Sequence, residues 1–178
     1  MHHNVIFFAH GKESGPWGSK IQRLAEVGKA KGFAVESPDY AGIDDPDERV
    51  RRLLALNPKA IYRLVLVGSS MGAYVSLVAS RTICPDGLFL LAPAVHIPFY
   101  PEFEPPPHAR QVEIIHGWQD EIIPVNFAID YARKFQATLH LVESDHRLMS
   151  ALPMIEFWFA DFLERVLMPV CSQESGGR

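Results

Sequence analysis

The chain has 178 residues and a mass of 20.0 kDa, enough for one domain of ordinary size. Its 48% apolar and 21% charged residues exclude a disordered chain, a collagen-like fibre and a disulfide-stapled miniprotein. Seventeen Lys and Arg against 21 Asp and Glu leave a net charge of −4 with the signs scattered, so no basic stripe points to nucleic acid as a partner.

From the N-terminus, Met1-His2-His3-Asn4 leads into only five apolar residues, Val5–Ala9, the first expected strand. A secretory signal needs a basic start and a longer apolar core, so the expected location is the cytoplasm. Leu64–Val67 and Leu88–Ala94, the other long apolar runs, also fall far below the ~18 residues of a membrane span. After the first strand comes His10-Gly11-Lys12-Glu13-Ser14-Gly15, a glycine-bearing loop. Ile21, Leu24, Ala25 and Gly28 then form one face of a helix stopped at Lys31-Gly32. Ala34–Ser37 reads as a short strand. Asp45-Pro46-Asp47-Glu48 is a helix start: Asp45 can cap and Pro46 suits the first helical position. Val50, Leu53 and Leu54 follow as the buried stripe.

The run Arg63–Val67 is the third strand, and a helix-like segment follows Gly68-Ser69-Ser70-Met71-Gly72. Leu88–Leu91 is the fourth strand. Pro93–Arg110 breaks the rhythm, holding six of the fourteen prolines. Its Ile97, Phe99, Tyr100 and Phe103 are too apolar to leave in water, so it is expected to pack over something. Val112–Ile115 is the fifth strand. Pro124 opens a helix with Phe127, Ala128, Tyr131 and Phe135 on one side, and Thr138–Val142 is the sixth strand. Leu152, Ile155, Phe159, Phe162, Leu163 and Val166 recur at helical steps. Strand and helix alternating about six times predicts a single-domain α/β fold. Its mostly parallel sheet of about six continuously apolar strands should carry helices on both faces. The expected domain is 1–168, with a frayed tail at 169–178. Cys84 and Cys171 match no zinc spacing and read as two free thiols.

Gly68-Ser69-Ser70-Met71-Gly72 is G-x-S-x-G between a strand and a helix, the context this motif requires. The tight turn pushes the Ser70 hydroxyl outward, and the two glycines remove side chains that would collide across it. A serine hydroxyl needs a base to take its proton and a carboxylate to orient that base. His146 follows the last strand and Asp120 the one before it, both past strand carboxyl ends where open α/β sheets place their sites. Asp145 and Glu121 are rival acids. Asp145, adjacent to His146, is the less suited because neighbouring side chains diverge. His116 ends a strand and reads as a structural turn residue. An oxyanion hole requires two backbone N–H groups: that of Met71, and one from the loop after the first strand, where Gly11 lets the backbone approach a substrate. The same loop lacks G-x-G-x-x-G and a G-K-[ST] ending, so a phosphate cradle is disfavoured.

These residues resemble the α/β-hydrolase superfamily over nearly the whole length, and more loosely the small YqiA-like esterases. The features shared are the His10-Gly11 loop, the Gly68–Tyr74 elbow, Ala92-Pro93-Ala94, the Gly117–Asp120 acid loop and Asp145-His146. The resemblance implies that Lys12 supplies the second oxyanion N–H. It also puts the first strand near the sheet centre, next to the strand leading to Ser70. No helical cap of ~50 residues separates the fourth and fifth strands. The expected function is cleavage of small to medium carboxylic esters or thioesters by Ser70, Asp120 and His146, without a metal or an organic cofactor. An acyltransferase, a peptidase and a non-catalytic module of the same fold are the alternatives. Gly11, Trp17, Tyr74, Phe99, Tyr100 and Trp118 are the candidate substrate contacts, with Ile97 and Phe103 beside them.

Overall fold

A computed structural model describes residues 2–169. Six strands and five helices alternate in the order β1 (Asn4–Ala9), α1 (Ser19–Ala30), β2 (Ala34–Glu36), α2 (Pro46–Ala55), β3 (Arg63–Ser69), α3 (Met71–Ile83), β4 (Gly87–Leu91), β5 (Gln111–Gly117), α4 (Val125–Phe135), β6 (Thr138–Val142), α5 (Leu152–Leu167). Local chemistry sets the helix ends. The Asp45 carboxylate accepts the Asp47 N–H at 2.9 Å, and Pro46 takes the first helical position of α2. Beyond α1, Gly32 adopts φ +82°, the left-handed conformation that ends a helix without a Cβ penalty.

All five strand pairings are parallel, in the order β2-β1-β3-β4-β5-β6. The chain builds outward from β1 to β2, then returns to add β3 on the other side of β1 and continues. The direction of growth therefore reverses between β1 and β3, and their carboxyl ends open a crevice there. That crevice lies between the His10-Gly11 loop and Ser70. β1 is second from the edge, with β3 and β4 holding the centre.

Alternate strand residues feed the two faces. Ile6, Phe8, Val65, Val67, Phe89 and Ile115 join α1 and α5, where Phe89 meets Phe159 and Phe162 with ring centroids 4.8 and 5.3 Å apart. Leu66, Leu88, Leu90 and Ile114 pack against α3 and α4. The expectation of continuously apolar, covered strands holds for β3 and β4 but not for β2 and β6, which are largely half-buried. They are the sheet edges and have a neighbour on one side only. Among the described residues, no helix is long and apolar enough to cross a membrane.

The Pro93–Arg110 segment forms neither helix nor strand and is pinned to α3 and α4. Its His108 N–H donates to Ser80 Oγ (3.0 Å), its Glu102 N–H donates to the Tyr74 hydroxyl (3.2 Å), and its Pro105 carbonyl accepts from the Tyr131 hydroxyl (2.7 Å). The segment thus packs over these helices, but not with every apolar side chain. The Tyr100 N–H closes a turn onto the Ile97 carbonyl, so Tyr100 packs on Tyr74 while Phe99 stays 93% exposed. Apart from Pro169, the expected tail at 169–178 lies outside the described residues, as does Cys171. Cys84 is an exposed free thiol.

Candidate active site

The turn from β3 into α3 holds Ser70 at φ 55°, ψ −118°, a left-handed backbone that a non-glycine residue adopts only under constraint. Backbone hydrogen bonds supply the constraint. The Ser70 N–H donates to the Leu91 carbonyl at 2.9 Å, and the Ser70 carbonyl accepts from Ala73 (3.0 Å) and Ala94 (3.2 Å). The two elbow glycines are sterically required. A Cβ on Gly68 would meet the Ala73 Cα at 2.4 Å, and one on Gly72 would meet the Ala9 carbonyl oxygen at 1.9 Å. The second contact seats α3 directly against the end of β1. Gly11 is thereby brought beside Ser70: a Cβ there would be 3.5 Å from the Ser70 Cβ. Met71 is buried as the first residue of α3, and Lys12 is exposed with its ammonium 3.4 Å from Asp44. Among the described residues, neither the Met71 nor the Lys12 N–H donates to a backbone carbonyl.

Asp120 and His146 meet across the β5 and β6 loops. His146 Nδ1 lies 2.8 Å from Asp120 Oδ2. The other carboxylate oxygen accepts the N–H groups of Ile122 (2.9 Å) and Ile123 (2.8 Å). Burial pushes the Asp120 pKa up, but the hydrogen bonds from His146 and the two N–H groups outweigh it and hold the carboxyl below its ordinary range. The two loops are themselves laced together: the Trp118 N–H donates to the Val142 carbonyl (2.8 Å) and the Gln119 N–H to the Ser144 carbonyl (3.1 Å). Asp145 is occupied elsewhere, accepting the N–H groups of Arg147 (3.0 Å) and Leu148 (3.2 Å), and Glu121 is exposed. Ser70 makes no hydrogen bond to His146 among the described residues. Such contacts are often loose before substrate binds.

Three further residues, His116, Arg49 and Lys20, join this site. His116 is fully buried, with Nε2 2.9 Å from the Ile123 carbonyl and 3.2 Å from Asp120 Oδ2. It is more than a turn residue, because one N–H can bridge the acid and its loop. Burial lowers its pKa, so the neutral form is favoured. Its position four before Asp120 was the available signal. Arg49 is buried on α2 against the carbonyls of His10 and Gly11. A charged residue four before Leu53, on the apolar stripe, was the signal there.

Lys20 donates to Ser69 Oγ at 3.0 Å, next to Ser70 in the chain. Burial lowers its pKa from 10.5 to about 8, against the pull of the Asp145 and Asp120 charges. The unfolded chain takes up this proton near 10.5 and the folded chain only near about 8. Lowering the pH between those values therefore favours the unfolded state, and the stability from this group falls. Urea titrations of the wild type and Lys20→Met from pH 8 to 10 test this. The stability difference, wild type minus variant, is expected to rise with pH; a flat or falling difference contradicts it.

The candidate substrate contacts do not converge. Tyr74 is fully buried among Tyr40, Val50 and Leu53, with Tyr100 edge-on at 4.6 Å. Trp17 lines a shallow groove along α1 with Gln22, Arg23 and Lys29. Trp17 and Trp118 are about half exposed, at 45% and 53%. Gly11 packs beside the elbow, and the backbone of Tyr74 is part of it, its N–H donating to the Ser70 carbonyl at 3.3 Å. Among the described residues, no group of three or more His, Cys, Asp or Glu side chains is arranged to hold a metal ion.

A model of the alpha/beta hydrolase family matches residues 6–171. An alpha/beta-superfamily protein from Xanthomonas campestris pv. campestris is 32% identical, with a TM-score of 0.82 over 93% of this chain and 99% of its own. Est1E from Butyrivibrio proteoclasticus, of which a ferulic acid complex is also known, shares the fold at 15% identity. Its TM-score is 0.78 over 93% of this chain and 88% of its own. A second Xanthomonas campestris protein, an a/b serine hydrolase without a lid, shares the fold at 22% identity. There the TM-score is 0.71 over 96% of this chain and 85% of that one. No curated protein matches the chain.

Proposed function

The chain belongs to the alpha/beta hydrolase family, and from that premise we propose that it is a serine hydrolase cleaving carboxylic esters or thioesters of small to medium acyl groups. The observation that carries this reading is the 2.8 Å Asp120–His146 hydrogen bond at the sheet end that holds the strained Ser70. His146 Nε2 takes the Ser70 proton as Oγ bonds to the acyl carbon. The carbonyl oxygen gains the electron pair and is held by the N–H groups of Met71 and Lys12. As the tetrahedral species collapses, the bond to the alcohol or thiol breaks and His146 returns the proton to it. Water then repeats the sequence on the acyl-enzyme and releases the acid. Asp120 keeps the imidazole proton on Nδ1 and stabilises the imidazolium.

The acyl range follows from the mouth of the site. Among the described residues, the Pro93–Arg110 segment between β4 and β5 forms neither helix nor strand, so no long helical cap covers the strand ends. A small or medium acyl group can be held there without an enclosed channel.

A fluorophosphonate probe tests the reading, because it phosphonylates an activated serine. Wild-type protein is expected to label and Ser70→Ala not to label. Labelling that survives the substitution removes Ser70 from the role. On p-nitrophenyl esters, kcat/KM is expected to be higher for acetate and butyrate than for palmitate.

A further inference from the structure

Arg49 sits on the inward side of α2 and is 1% exposed. Among the described residues, no carboxylate lies within ion-pair distance of it, the ion pairs of α2 being Arg51 with Asp45. Instead its guanidinium meets carbonyls. Nε donates to Ile43 at 2.7 Å, and Nη1 donates to His10 at 3.1 Å and to Gly11 at 3.3 Å. A buried cation without a carboxylate is costly, and core packing alone would place an apolar residue there.

The Gly11 carbonyl is held twice. His10, fully buried, accepts the Tyr40 N–H at Nε2 (2.9 Å), which puts its proton on Nδ1, 2.8 Å from the Gly11 oxygen. Arg49 and His10 therefore both donate to one carbonyl. In a trans peptide the C=O and the next N–H point in opposite directions, and among the described residues there is no cis peptide. Drawing the Gly11 oxygen toward Arg49 and His10 therefore turns the Lys12 N–H away from them. That peptide stands beside the nucleophile, since a Cβ on Gly11 would be 3.5 Å from the Ser70 Cβ.

We propose that Arg49 is a positioning residue for the oxyanion hole, fixing the Gly11–Lys12 peptide so that the Lys12 N–H donates to the oxyanion formed at Ser70. The proposal rests on the serine-hydrolase reading. Arg49 touches no reacting atom and acts through the peptide it holds. The effect should be confined to the tetrahedral species, because the hole is complementary to that species rather than to the planar ester.

The test compares wild type, Arg49→Met and Arg49→Lys on p-nitrophenyl acetate, with phenylboronic acid as the probe of the tetrahedral state. In Arg49→Met, kcat is expected to fall about 30- to 100-fold, less than the ~100- to 1,000-fold for outright loss of one oxyanion donor because the Lys12 N–H is displaced rather than removed, with KM changed less than about threefold. The inhibition constant of phenylboronic acid is expected to rise in proportion to the loss in kcat/KM. A general loss of stability would not produce that proportionality. Arg49→Lys, whose ammonium reaches the carbonyls less well, is expected to lose about five- to tenfold, and it carries the test if Arg49→Met does not fold. A folded Arg49→Met with kcat within twofold of wild type overturns the proposal. So does a loss confined to KM, or an unchanged boronic acid constant. If Arg49→Met is unfolded, Arg49→Lys within twofold of wild type overturns it. A wild type that neither labels with fluorophosphonate nor turns over the ester instead removes the underlying reading.

Discussion

Asp120→Asn is expected to lower kcat by about 10⁴-fold, and Asp145→Asn to change it less than about threefold. The reason lies in how Asp120 is held. Its Oδ1 accepts two backbone N–H groups, from Ile122 and Ile123. An asparagine must put its amide oxygen there, because its NH₂ has nothing to offer a donor. The NH₂ then faces His146 Nδ1, which has to become an acceptor. The imidazole proton moves to Nε2, the nitrogen that should take the Ser70 proton, and the base is lost. Asp145 accepts the N–H groups of its own turn, and an asparagine can do the same. Turnover of p-nitrophenyl acetate by the two variants decides the matter. A larger loss from Asp145→Asn would reverse the assignment. The Asp120 carboxylate also bears on acid stability. Its pKa in the fold lies below the ordinary 3.8, so the stability it contributes is present above that value and is lost as pH falls through the lower one.

Gly72→Ala is expected to destabilise the protein by more than about 4 kcal/mol, enough to prevent folding or to lower Tm by about 10 °C or more. The new methyl would lie 1.9 Å from the Ala9 carbonyl oxygen, 2.4 Å from its carbon and 2.8 Å from the His10 carbonyl oxygen. All three are backbone atoms at the end of a paired strand. No rotamer can relieve the clash, so α3 must move off β1. Gly11→Ala is the contrasting control. Its nearest contacts would be 3.4, 3.5 and 3.8 Å, and the cost should stay under about 1 kcal/mol. Urea denaturation of both variants checks the difference. A Gly72→Ala protein as stable as Gly11→Ala would mean that α3 does not seat on β1 as closely as described.

Most of the architecture was legible because its causes are local. The apolar runs at Val65, Phe89 and Ile115, the Asp45-Pro46 helix start and the three- and four-residue steps from Leu152 to Val166 each record a periodicity or a cap. These repeat in the fold at nearly the same residues. Edge strands were less legible. Thr138–Val142 reads as a strand like those of the centre, yet it is half-buried because nothing pairs with its outer side, which leaves Thr138 exposed and His140 half-buried. Run length carries no information about sheet order. The aromatic residues of the Pro93–Arg110 segment failed for a related reason. Composition says that they seek cover, but a single turn sends Tyr100 inward and Phe99 into water.

The sequence by itself determined the alternating fold, the elbow at Ser70 and the chain order of Ser70, Asp120 and His146. A strained strand-to-helix turn needs its glycines at fixed offsets, and a strand-end loop must follow its strand. The tertiary structure alone decided that His146 meets Asp120 rather than Asp145, and that Arg49 and Lys20 come from separate helices to the His10-Gly11 loop and to Ser69. Those pairings join residues that lie 26 to 49 positions apart. They depend on where parallel strand ends and helix starts converge, and no local pattern of residue types records that convergence.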